Sequence, residues 1–442
     1  MGELNKLSAF DAVNGIRTKR FTSQQLMADC ITRIEKREPS VRAWAHFDPE
    51  HAMAEARKAD QKQDHGERLG PLHGIPVGIK DVIDAKGMPG ENGSPIFANR
   101  VPGEDSKAVT QLKNAGAIIM GKTVTTEMAN LAPSKTRNPH DLKHSPGGSS
   151  SGSAASVADF HVPLALGTQT GGSVIRPASF NGVHGLKPTV GTISRNGMLL
   201  QSHTLDTIGV YARNLVDIAI INNCLIDENA DATLEKILEQ GSKVFKNWAK
   251  TSEMPKFAFL ETPAWPEADI GAKNAIETAI TSLSSACQRD RLPDPFNKII
   301  DYHAAVFAAE NSHYYGPFLD NHSELLSEKL RDRLIVSKTT LASEYIAALN
   351  ARDKIYHSLE ALLDDYDAVL CLAATGAAPI GFETTGSAIF NGLWTYLGVP
   401  CLSLPLLTTE NMPLGLQLVG KRGNERKLFK TANWIENHLK AS

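Results

Sequence analysis

Apolar positions in the first third of the chain recur with helical and strand spacing in turn. Leu26, Met27, Cys30, Ile31 and Ile34 fall at three- and four-residue steps behind Thr22 and Gln25, a capping-box pair, and predict an amphipathic helix. Residues 50–63, dominated by Ala, Glu, Lys and Gln, predict another. The segment HGIPVGIKDVID at 73–84 carries a short apolar run bounded by glycines, which predicts a buried strand running into Lys80 and Asp81. SKAVTQLKNAG at 106–116 predicts a helix closed by Gly116, and AIIMGKT after it predicts a strand. This alternation of helix and strand is the α/β pattern.

The rhythm breaks between 143 and 202, where GGSSSGS, GTQTGG and NGVHGLKPTVG concentrate Gly and Ser around a helix-like SAASVADF and a strand-like VPLALGT. Regular elements of that kind do not occur in flexible linkers, so the segment reads as ordered loops aimed at a site. From about 213 to 365 the pattern is mostly helical, clearest at 214–224, 271–289 and 340–364, with a strand-like KFAFLE at 256–261. Strands return at 367–373, 401–405 and 414–420, and a helix over about 424–440 closes the chain. Strands on both sides of the helical stretch predict one sheet fed from both ends, hence one domain over 1–442.

Composition narrows the class. Of 442 residues 42% are apolar and 21% charged, the net charge is −3, and no basic run stands out, so nothing marks a nucleic-acid or membrane-binding surface. A small-molecule partner is expected. Five scattered cysteines, odd in number and never spaced C-x-x-C, argue for reduced thiols and against a zinc or disulfide framework. The N-terminus lacks an apolar signal core, and no run approaches the ~18 uncharged apolar residues of a membrane span, so a cytoplasmic protein is expected.

Three stretches carry candidate chemistry. Gly116 to Thr123 spells G-x-x-x-x-G-K-T, a phosphate-loop pattern, but its variable positions are Ala-Ile-Ile-Met, which suit a strand whose amides are occupied in a ladder. Gly148 to Gly152 spells G-x-S-x-G around Ser150, yet the preceding DLKHSP is polar and ends in proline, unlike the buried strand before a nucleophile elbow. In GTQTGGS, at 167–173, a strand runs into consecutive small residues and then a serine. Adjacent N–H groups there can converge on one point as an oxyanion hole beside the Ser173 hydroxyl. A base is still needed. None of the fourteen histidines stands in a triad context, whereas Lys80 ends a buried strand, where desolvation lowers a lysine pKa enough to free the amine. Lys122 and Lys187 read as solvated charges at strand ends.

Lys80 in GIPVGIKD, the cluster PGGSSSGSAASVA and the run GTQTGGSVIRPASFNGVHGLKPT, in that order and with 69 and 24 residues between Lys80, Ser149 and Ser173, resemble the amidase signature family. The resemblance extends to GVPCLSLP and MPLGLQLVG near the C-terminus. It implies a central mixed, twisted β-sheet covered by helices on both sides, no cofactor and no metal. It makes Ser173 the acyl-forming nucleophile, Ser149 a bridging serine on a cis peptide bond after Gly148, and Lys80 the terminal base. Backbone amides of Thr170, Gly171, Gly172 and Ser173 would form the oxyanion hole. Gln169, where many members have Asp, and Arg176, three residues after Ser173, look like the branch of small-amide hydrolases that includes malonamidase and biuret-pathway enzymes. There the matching arginine holds a substrate carboxylate, which makes Arg176 a candidate specificity residue, with a structural ion pair as the alternative. The implied activity is hydrolysis of a small carboxamide or ureide, and relatives of this kind suggest a homodimer. The alternative is the glutamine-hydrolysing component of a tRNA amidotransferase, its A subunit.

Overall fold

In the computed structural model, which describes residues 3–226 and 254–441, eleven strands form one sheet. They are β1 (Trp44–Phe47), β2 (Pro76–Lys80), β3 (Ile118–Thr123), β4 (Leu164–Gln169), β5 (His184–Lys187), β6 (Thr207–Ala212), β7 (Phe257–Leu260), β8 (Cys287–Asp290), β9 (Ala368–Leu372), β10 (Cys401–Thr409) and β11 (Met412–Val419). The order across the sheet is β1-β3-β2-β4-β6-β5-β10-β11-β9-β7-β8. Pairing is parallel on both sides of β2 and on both sides of β7, and antiparallel elsewhere. Every residue of β2, β3, β4, β5, β6, β7 and β9 is buried, as a sheet covered by helices on both faces requires. The α/β expectation and the single sheet fed from both ends of the chain hold.

Local chemistry explains the elements the sequence predicted. Thr22 and Gln25 close a reciprocal capping box at the start of the helix Ser23–Val41. Ser106 caps Lys107–Asn114 by accepting from the Val109 amide, and Gly116 takes the φ of +85° that turns the chain into β3. The phosphate-loop reading fails here, because residues 118–123 are ladder-bonded strand between β1 and β2. The expected helix over 271–289 stops at Leu283, and 287–290 instead form the edge strand β8. Residues 227–253 of the expected helical segment lie outside the described residues. No helix among the described residues is long and apolar enough to cross a membrane.

Lys122 and Lys187, expected to be solvated, are fully buried. Both sit on strands covered on both faces, where the side chain has no route to water. Lys122 pairs with Asp81 at 3.1 Å across β2 and β3, and Lys187 donates to the carbonyls of Pro188 and Val399 at 2.9 and 2.6 Å.

Sheet register places the candidate site. β2 and β4 run parallel and side by side, so Lys80 at the end of β2 comes up beside Thr168 near the end of β4. β6 runs back along β4 with Thr207 opposite Gln169, which brings Asp206 to the same edge.

Candidate active site

Lys80 is the centre of the arrangement. Its Nζ lies 2.6 Å from Ser149 Oγ and 2.8 Å from Thr168 Oγ1, with the Thr168 carbonyl at 3.5 Å. Burial holds the ammonium well below the usual lysine range; the Asp206 carboxylate opposes that shift and the Arg176 guanidinium adds to it. Charged, the amine donates to these oxygens; neutral, its lone pair can accept from a hydroxyl. Ser149 follows a cis peptide bond from Gly148, as the resemblance implied.

Ser149 and Ser150 precede the helix Ser151–Ala158, whose glycine at 152 is a packing requirement. A Cβ there would lie 2.2 Å from the Ala43 carbonyl oxygen and 2.4 Å from the Val124 nitrogen. Ser150 is turned inward, where its hydroxyl donates to the Thr168 carbonyl and accepts from the Thr168 amide, both at 3.2 Å. The G-x-S-x-G therefore brackets a structural serine.

The loop Thr170–Ser173 is held from behind. The Thr170 carbonyl bonds His303 Nε2 at 3.1 Å, and the Gly171 carbonyl accepts from Thr395 Oγ1 at 2.7 Å. With those carbonyls anchored to the helices Ile299–His322 and Ile389–Leu397, the amides of 170–173 donate to no protein acceptor among the described residues. Gly172 is needed because Asn391 Oδ1 sits 2.3 Å from where its Cβ would be, whereas at Gly171 a methyl would make only ordinary contacts. Gln169 takes on two tasks. Its Oε1 accepts from the amides of Val174 and Ile175 at 2.8 and 3.0 Å, and its Nε2 donates to Thr395 Oγ1 at 2.9 Å, a bond a carboxylate could not donate. Ser173 is half-buried, with its carbonyl accepting from Tyr211 Oη at 3.1 Å and no hydrogen bond to its hydroxyl among the described residues.

The profile of one protein family, described as Amidase, matches residues 25–429. The chain belongs to the amidase family. It is 30% identical over 483 residues to the A subunit of the glutamyl-tRNA(Gln) amidotransferase of Natranaerobius thermophilus, covering 99% of this chain and 96% of that one. Among solved structures it is similar to a peptide amidase from Stenotrophomonas maltophilia, with 27% identity, a TM-score of 0.83 and 98% and 97% of the two chains covered. A structure from a vestigial protein complex bearing on the origins of an s-triazine catabolic enzyme matches in fold, at 24% identity, a TM-score of 0.87 and 98% of each chain. The protein is thus an enzyme of amide C–N bonds.

In this amidase, Arg176 is buried and bonds the Gly148 carbonyl at 2.6 Å and Thr385 Oγ1 at 3.2 Å, with its Nε left without a partner. The structural ion pair weighed for it is absent among the described residues, and burial brings the guanidinium down to about 10. The sequence reading missed several residues that bear on the site: Thr168, Asp206, Tyr211, His303, Thr395 and Arg333. Arg333 stacks 4.3 Å from the Phe307 ring centre, one ring away from His303, with no carboxylate paired to it among the described residues. Most of these sit singly on helices or strands, with no motif around them. Asp206, next to β6, was accessible only through sheet register. No group of three or more His, Cys, Asp or Glu among the described residues could hold a metal ion.

Proposed function

We propose that this chain hydrolyses a primary carboxamide that also carries a carboxylate, through a relay of Ser173, Ser149 and Lys80. The 2.6 Å contact between Lys80 Nζ and Ser149 Oγ in a fully buried setting carries the reading. Neutral Lys80 takes the Ser149 proton as Ser149 takes that of Ser173, and Ser173 Oγ bonds to the amide carbon. The oxyanion is received by amides of Thr170, Gly171, Gly172 and Ser173, each donor worth about 3 kcal/mol of barrier in comparable sites. The relay then returns the proton to nitrogen as the C–N bond breaks, ammonia leaves, and water hydrolyses the acyl ester.

Two substrate classes fit. The placement of Gln169 and Arg176 supports the malonamidase-like branch and a short amide or ureide. The curated relatives weigh toward the other reading, glutamine hydrolysis: amidotransferase A subunits of several bacteria align at 30–31% identity over 98–99% of this chain. Glutamine and malonamate each present a carboxylate at a fixed reach from the amide, whereas biuret has none, and Arg176 and Arg333 are guanidiniums near the loop without a carboxylate partner among the described residues. Ammonia release from glutamine, malonamate and biuret-type ureides, by the chain alone, decides between them. Turnover of the short substrates supports the branch. Turnover confined to glutamine and raised by the partner components of an amidotransferase supports the alternative. Ser173→Ala is expected to remove at least about 10³-fold of either activity.

A further inference from the structure

Asp206 is a carboxylate that no motif announces and the relay described above does not use. It is buried, directly before β6, and each of its oxygens is occupied. Oδ1 accepts from Thr170 Oγ1 at 2.5 Å, while Oδ2 accepts from the amides of Gln201 and Ser202 at 2.7 and 2.9 Å. Those contacts tie the first residue of the oxyanion loop to the turn at 201–206. That turn is fixed in its own right, because Glu310 accepts from the Thr204 amide at 2.9 Å and from the hydroxyls of Ser202 and Thr204, and Tyr345 Oη donates to it at 2.9 Å. The Thr170 loop is thereby gripped from both sides, by His303 at its carbonyl and by Asp206 at its side chain.

The charge of Asp206 matters as well as its reach. Among the described residues Lys80 has no acidic partner in hydrogen-bond contact, its partners being two hydroxyls and a carbonyl. Asp206 is the anion that favours its protonated form, and Arg176 is the cation that disfavours it. The other titratable groups facing Asp206 are Arg195, which donates to its backbone carbonyl at 3.4 Å, and the buried Tyr315.

We propose that Asp206 is a positioning residue of the relay, which holds Thr170 at the head of the oxyanion loop and supplies a buried negative charge at the sheet edge where Lys80 ends β2. This rests on the relay of Ser173, Ser149 and Lys80 proposed above. Burial raises the Asp206 carboxyl to about 6, with the Thr170 hydroxyl and the two amides acting against that rise. Three donors on its two oxygens favour the ionised carboxylate.

The test reads the relay without needing the natural substrate. Phenylmethylsulfonyl fluoride forms a bond from sulfur to a reactive serine oxygen and expels fluoride, while the serine proton passes into the relay. Its second-order rate with the full chain is measured against pH, and the modified residue is identified by mass. Asp206→Asn removes the charge and, by setting an NH2 group against the Gln201 and Ser202 amides from which Oδ2 accepts, loosens the turn that carries the tie to Thr170. A lysine relieved of a nearby anion loses its proton more readily, so the rise of the wild-type profile with pH is expected to move at least about half a pH unit lower in Asp206→Asn. The plateau rate is expected to fall at least tenfold. Thr170→Val, which breaks the tie and keeps the charge, is expected to lower the plateau and leave the midpoint in place. Asp206→Asn with an unshifted midpoint, or with a wild-type plateau, overturns the proposal. A wild-type chain that is labelled elsewhere than Ser173 overturns the relay and, with it, the role given to Asp206. Labelling at Ser173 combined with an unmoved Asp206→Asn profile sinks the Asp206 role alone.

Discussion

Ser150 and Ser149 are neighbours with opposite fates. The backbone turns one hydroxyl onto Lys80 and the other onto the peptide groups of Thr168. Ser150→Ala is expected to cost about 1–3 kcal/mol of stability, because it strands a buried amide, and to change kcat less than tenfold. Thermal denaturation and steady-state ammonia release measure the two, and a 10³-fold fall in kcat would return Ser150 to the chemistry. At this scale the sequence was partly legible. Ser149 and Ser173 stand in dense Gly- and Ser-rich segments, and Lys80 ends an apolar run whose burial leaves a charged amine without water. Asp206, His303, Thr395 and Arg333 were not legible, since an isolated polar residue at helical or strand spacing reads as a solvated face until the partner across the fold is known.

Among the elements, β2 and β3 show why letter patterns need their secondary structure. The same Gly-Lys-Thr that suggested a phosphate cradle is strand, and its lysine is matched to Asp81, the residue after Lys80. Burial pushes the Asp81 carboxyl up and the Lys122 ammonium down, each opposed by the other's charge. Removing one member of a buried pair leaves the other uncompensated, at about 3–5 kcal/mol. Lys122→Met is therefore expected to lower the unfolding free energy by that amount in a denaturant titration, and an unchanged midpoint would show the pair to be dispensable. Element type was readable for the long periodic helices and for the buried strands β2, β3 and β4. It failed at 287–290, where a short polar strand adds to the sheet edge and its alternation is indistinguishable from a frayed helix end.

At the scale of the molecule, the sheet joins early and late parts of the chain, and a buried contact between strand and closing helix does the same. His184 on β5 meets Glu436 on the helix Glu425–Ala441 at 2.5 Å. Burial alone would raise the Glu436 carboxyl, yet His184 holds it below the usual glutamate range. A depressed carboxylate contributes stability that is present above its unfolded value near 4.5 and is lost as pH falls through the lower folded value. Glu436→Gln is expected to lower Tm at pH 6–7 by about 1 °C, for about 1 kcal/mol, and to converge with wild type as pH falls through the lowered carboxyl value. A constant gap at all pH values would exclude the ion pair as its source.

The grip of His303 and Thr395 on the oxyanion loop also has a consequence for synthesis on the ribosome. All three residues of the proposed relay are translated by position 173, yet the groups that pin the carbonyls of Thr170 and Gly171 arrive more than a hundred and more than two hundred residues later. A growing chain halted at residue 380 would hold Lys80, Ser149 and Ser173 and still lack the Thr395 that fixes their oxyanion donors. Activity by the proposed relay is thus expected only late in translation, and truncation from the C-terminal side is expected to remove it before it removes a single residue of that relay.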